Sequence, residues 1–259
     1  MIIRPPAVAG TFYPASSKTL QSMVGELLND AEEKHLSPKM LVVPHAELAY
    51  SGPVAASAYR LLAPVRATIK RVLLLGPSHR LAFEGIALPS ADAFASPLGD
   101  IPLDTLAMSR LLELSDVQAL DAAHDQEHSL EVQLPFIKTC LEDICLIPLV
   151  IGDASVFSVV NIIEYLWGGD ETLIIISTDL SHFHHYDQAC QRDAQTVKAI
   201  EQKNAFLTGG QACGCVPLNG ALRVAQKRCM EVITLDVRNS GDTTGDKDRV
   251  VGYGAFAIQ

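Results

Sequence analysis

No two cysteines in this chain stand at C-x-x-C spacing, and the six present (Cys140, Cys145, Cys190, Cys213, Cys215 and Cys229) are few for 259 residues. That excludes a disulfide scaffold and a cysteine-rich zinc site, and leaves reduced thiols, several of them in the core. Positive charge is scarce as well. Lys and Arg number 20 against 30 Asp and Glu, a formal net charge of -10. This is the wrong balance for neutralising phosphates, so neither nucleic acid nor a membrane is an expected partner. No apolar run reaches the ~18 residues that a bilayer span requires. The opening MIIRPPAVAGTFYP carries prolines where a signal peptide would carry its apolar stretch, and a cytoplasmic chain is expected. There is no G-x-S-x-G elbow for a hydrolytic serine, no low-complexity tract, no linker and no repeat of fixed period. One domain over residues 1–259 is the simplest organisation.

What the chain has in quantity is apolar residues, 48% against 19% charged, enough for a large core. They gather in runs at 40–44, 71–76, 144–152, 172–178, 231–237 and 250–258. Unbroken runs of this kind predict strands buried on both faces. Helical spacing fills the intervals 17–33, 53–63, 104–113, 129–142, 155–166, 186–203 and 217–228. The alternation predicts an α/β layered fold with a mainly parallel central sheet flanked by helices.

Ligands of open α/β sheets collect beyond the carboxyl ends of the strands. Three of the apolar runs are followed there by a histidine: His45 after LVVP, His79 after LLLGPS and His182 after IIISTDLS. A single histidine reads equally well as a loop or core residue. Three at equivalent strand ends predict a shared cleft suited to a divalent metal. The carboxylates nearest these ends are Glu47 and Asp179. Asp179, three residues before His182, either orients that imidazole for acid/base work or caps a following helix. In HDQEHSLEVQLPF, the residues Glu127, His128 and Glu131 match neither H-E-x-x-H nor a paired Glu-x-x-His pattern. This segment is expected to open a helix with Leu130, Leu134 and Ile137 on its apolar face, its polar residues lining or supporting the cleft, with direct metal binding as the alternative. Asp242, Asp246 and Asp248 lack calcium-loop spacing and read as a solvated turn. Cys213 and Cys215, just before a helix, read as packing residues or as acidified thiols.

Seven strings taken in order, RPPAVAGTFYP, PHAELAYSG, LLLGPSHR, EHSLEVQLPF, STDLSHF, ACGCVPL and NSGDTTGDKDRVVGYGAF, resemble the Memo family, the AmmeMemoRadiSam system protein B group. The resemblance spans essentially the whole chain. It implies a fold similar to class III extradiol dioxygenases and a mononuclear metal, Fe(II) or Cu, at His45 and His79, with His182 and Asp179 in the acid/base role. It also implies two other functions: a non-catalytic module taking a small-molecule or peptide ligand in the cleft, and a subunit working with radical-SAM and AMMECR-type proteins. Two departures matter. PHAELAYSG has Glu47 and Leu48 where the family has a glycine and an aromatic residue. The metal-binding cysteine of the animal member falls at or near Thr243, which offers no thiolate. Glu47, two residues from His45 and on the same face of an extended segment, is either a replacement ligand or the sign of a metal site that has decayed.

Overall fold

Four of the apolar runs form the centre of a nine-stranded sheet. In the computed structural model, which describes residues 1–259 apart from the side chain of Thr244, Met40–Val43, Thr172–Ser177, Arg71–Pro77 and Cys145–Ile151 lie side by side in that order, all parallel. Apart from Arg71 and Cys145 at two strand starts, every residue in them is buried. Helices that flank the sheet make unbroken apolar strands stable in this position.

On each side the central strands meet an antiparallel neighbour. Val250–Ile258 runs against Met40–Val43, and Ile86–Leu88 runs against Cys145–Ile151. Val232–Asn239 pairs with the outer side of Val250–Ile258, and the short His182–His184 strand joins that strand's beginning with a register shift. A separate three-stranded sheet combines Ile3–Arg4, Ala93–Phe94 and Ile101–Pro102. The expected helices are present, with hydroxyl or carboxylate caps at Ser16, Asp104 and Ser155 that accept the N–H of Thr19, Ala107 and Ser158. Two boundaries differ from the spacing. The helix expected at 53–63 begins at Leu48 and runs to Tyr59, and the 129–142 segment opens with a 3-10 turn, Glu131–Gln133, before the helix Leu134–Cys140. Among the described residues, no helix is long and apolar enough to cross a membrane.

Parallel strands deliver their carboxyl ends to one side. Val43 leads into Pro44 and His45, Pro77 into Ser78 and His79, and Ser177 into Thr178 and Asp179. The EHSLE segment is packed against these ends because Gly76 leaves it room. A Cβ on Gly76 would lie 2.8 Å from Leu130 Cδ2 and 2.9 Å from Ser129 Oγ.

Candidate metal centre

His45 is 1% exposed, and its neighbours fix its tautomer. Ser177 Oγ lies 2.6 Å from the Ser129 carbonyl and 2.9 Å from His45 Nδ1, and it accepts from Gln133 Nε2 at 2.9 Å. A hydroxyl has one proton, and here it goes to the Ser129 carbonyl, so His45 Nδ1–H must donate to Ser177. That leaves Nε2 as the unprotonated nitrogen, with its lone pair toward the cleft. Gln133 is itself held, donating to the Pro44 carbonyl at 2.8 Å and accepting from the Tyr59 hydroxyl at 3.0 Å. Burial, and then the neighbouring His79 and His128, push the His45 pKa well below its ordinary value. The ring is neutral at physiological pH, the state in which imidazole binds metal.

His79 is fixed in the same way by a different partner. Its Nδ1–H donates to Glu127 Oε1 at 3.0 Å, and its backbone N–H donates to Glu127 Oε2 at 2.5 Å. Burial alone would raise the Glu127 carboxyl, but the His79 hydrogen bonds and the Ser129 N–H outweigh it and hold the pKa at about 2. An ionised carboxylate only accepts, so Nδ1 of His79 carries the shared proton and Nε2 is the nitrogen left for a metal. His128 completes the group. Its ring stacks on His79 with centroids 4.6 Å apart and meets His45 edge-on at 5.5 Å. Burial, opposed by Glu127, takes its pKa down to about 4. His128 Nδ1 is 3.3 Å from Glu127 Oε1 but poorly aligned with it, a buried nitrogen with no hydrogen bond.

One ligand nitrogen from each of His45, His79 and His128 lies within 4.8 Å of the others. Two bonds of about 2 Å to one cation span about 4 Å at most, so a modest closing of the three rings suffices to share an ion. Three imidazoles, two aimed by hydrogen bonds to their Nδ1 and one with an unsatisfied buried nitrogen, fit a first-row divalent metal.

The other expected site residues stand around this group. Asp179 turns to His45, accepting its backbone N–H at 2.8 Å, with Oδ2 3.9 Å from His45 Nε2. With His45 neutral that second contact is not an ion pair. Burial raises the Asp179 pKa to about 6 against the His45 N–H. His182 occupies the rim, in the short edge strand. Burial chiefly lowers its pKa, with His79 and His184 adding to the effect. Glu47 stands at the start of the Leu48–Tyr59 helix, half-buried and outside the three-histidine set. Thr243 is exposed in the Ser240–Thr244 turn of helix. A thiol nevertheless reaches the site from elsewhere: Cys213 Sγ is 3.3 Å from His45 Nε2 and accepts the Asp179 N–H at 3.3 Å. Burial, and then Asp179, push this thiol up to about 12, the opposite of an acidified cysteine.

His128 is the residue that spacing arguments passed over. Its neighbours Glu127, Ser129, Glu131 and Gln133 are all buried polar residues with tertiary partners, which no local spacing encodes.

The family model described as Memo-like protein matches residues 4–257. A MEMO1 family protein of Aquifex aeolicus is 33% identical over 267 residues, covering 98% of both chains. MEMO1 family proteins of Ignicoccus hospitalis and Sulfolobus acidocaldarius are 32% and 31% identical, each covering at least 97% of both chains.

Proposed function

This chain belongs to the Memo-like protein family, and from that membership we propose that its strand-end cleft is a mononuclear metal centre of redox or oxygenase type. The observation that carries this reading is the convergence of His45, His79 and His128 within 4.8 Å. An Fe(II) or Cu ion held there would supply redox chemistry toward an oxidisable ligand at the positions the histidines leave open.

The protein's own groups do the rest. Ser177 and Glu127 aim two of the imidazoles. Asp179 holds the backbone of His45 against the end of the neighbouring strand. His182, kept neutral at the rim, is the proton acceptor in this reading. Glu47 is proposed as an additional carboxylate ligand, two residues along from His45.

The experiment is metal analysis after anaerobic loading with Fe(II) or Cu. Near-stoichiometric metal is expected in the parent protein and loss in His45→Ala, His79→Ala and His128→Ala. A cleft that stays empty, or metal that persists without His128, would overturn the assignment. Unchanged Fe(II) affinity in Glu47→Gln would remove that ligand, and catechol turnover that survives His182→Ala would remove the proton role.

A further inference from the structure

A pocket of about 510 Å³ lies beside the histidines, beyond the ends of the Arg71–Pro77 and Cys145–Ile151 strands. None of the three histidines lines it. Its link to them is Cys213, which forms part of its wall and touches His45. The volume suits a small molecule, since such cavities run from about 300 to 1,000 Å³. Leu81, Phe83, Ile151 and Val216 make much of the wall apolar. The charged lining residues are two carboxylates, Glu84 and Asp153, and no Lys or Arg is among them.

The backbone positions that carry these carboxylates are held side by side. Glu84 and Asp153 are partners in an isolated parallel bridge. The two segments are tied by Asp153 N–H to the Phe83 carbonyl, Gly85 N–H to the Asp153 carbonyl and Gly152 N–H to the Gly85 carbonyl, all at 2.8 to 3.0 Å. Gly152 permits this approach, because a Cβ there would lie 2.3 Å from the Phe83 carbonyl oxygen. Both side chains are exposed, and neither carboxylate has a hydrogen-bond or ion-pair partner among the described residues. Arg80, a nearby cation in sequence, acts on His128 and does not line the pocket. Two carboxylates carried on neighbouring positions of one ladder put negative charge on this side of the pocket, where a cation is favoured over an anion.

We propose that this pocket binds a small amine: an apolar body of about ring size lies along Leu81, Phe83 and Val216 toward Cys213, and its ammonium sits at Glu84 and Asp153. Anionic ligands are disfavoured by the same two carboxylates. Binding of the amine stands on the pocket alone; delivery of the ligand's other end to the histidines rests on the metal-centre reading.

The test uses three probes of one shape that do not chelate metal: phenethylamine, phenethyl alcohol and phenylacetate. Calorimetry on the full chain should find the amine bound about tenfold more tightly than the alcohol, the increment expected from two partly exposed ion pairs. Phenylacetate should bind more weakly still. High salt should shrink the amine's advantage. The double variant Glu84→Gln, Asp153→Asn should abolish that advantage and leave alcohol binding in place. Equal affinities for all three probes, no binding of any, or an amine preference that survives the double variant would overturn the proposal. The same series on His79→Ala separates the two readings. An amine preference retained there supports the pocket even if no metal binds, whereas normal metal loading without an amine preference defeats the pocket and leaves the metal centre standing.

Discussion

Glu127 and Glu131 stand four residues apart, 2% and 0% exposed, and each accepts four hydrogen bonds. Their partners divide them. Glu131 receives Arg4 Nη1 at 2.5 Å, the N–H groups of Ala7 and Val8, and the Tyr13 hydroxyl at 2.6 Å, so all of its donors come from the N-terminal segment. Glu127 receives the ring and backbone of His79 together with its own chain neighbours His128 and Ser129. One carboxylate closes the fold and the other aims a candidate ligand. A buried, saturated carboxylate is therefore no signature of function by itself; the chemistry of its donors decides. The two regions do meet at one point, where Phe12, on the segment anchored by Glu131, packs on His128 with ring centroids 4.6 Å apart.

Removing each charge in turn separates the two carboxylates. Glu131→Gln leaves the Arg4 guanidinium buried without its counter-charge and should cost about 3–5 kcal/mol of stability, read as a lower urea midpoint. Metal affinity of the molecules that remain folded should fall less than in Glu127→Gln. That second variant should lose about 1–3 kcal/mol of stability and about 10- to 100-fold in metal affinity, because an imidazole loses the partner that orients it. If both variants lose stability alike and neither loses affinity, Glu127 is a structural residue and the distinction collapses.

Ser177→Ala sharpens the site side by testing the His45 tautomer. It removes the acceptor for His45 Nδ1–H while leaving both carboxylates in place. A loss of about 1 kcal/mol in stability is expected, with a drop in metal affinity smaller than that of Glu127→Gln. An unchanged affinity would mean that Asp179 and the surrounding packing hold the ring without Ser177.

The same contrast explains what the sequence disclosed. The long central strands, Arg71–Pro77 and Thr172–Ser177 among them, were legible because burial on both faces demands continuous apolar residues. His45 and His79 were legible because each follows such a strand. The borders were not. Ile86–Leu88, Val117–Ala119 and His182–His184 are three residues each, too short for any periodicity to register. His128 escaped for another reason. It lies in an irregular stretch between the short helix Ala122–Asp125 and the 3-10 turn Glu131–Gln133, where tertiary hydrogen bonds and not a repeating pattern set the backbone. Cys213 was visible as a residue beside a helix start, but its contact with His45 spans 168 positions and no local spacing encodes it.

The smallest expected effect lies on the structural side of the comparison, at His124. Its carbonyl accepts two Arg4 N–H groups, and its buried ring donates Nε2–H to the Ala87 carbonyl at 3.1 Å. Burial lowers its pKa to about 4, with the Arg4 charge adding and the Ala87 hydrogen bond opposing. The sign follows from which state takes up the proton. The unfolded chain protonates this histidine near its ordinary value of 6.5, whereas the folded chain resists until about pH 4. Stability is therefore complete above the unfolded pKa and falls as pH descends through the window between the two values. From pH 7.5 to 5.5 the loss from this one group should be about 1 kcal/mol. His124→Gln keeps a donor for Ala87 and removes the titration, so its urea midpoint should fall less over that interval than the parent's. Equal falls in the two proteins would mean that His124 takes up its proton in the fold as readily as in the unfolded chain, and that the Arg4 anchor tolerates a second positive charge at its side.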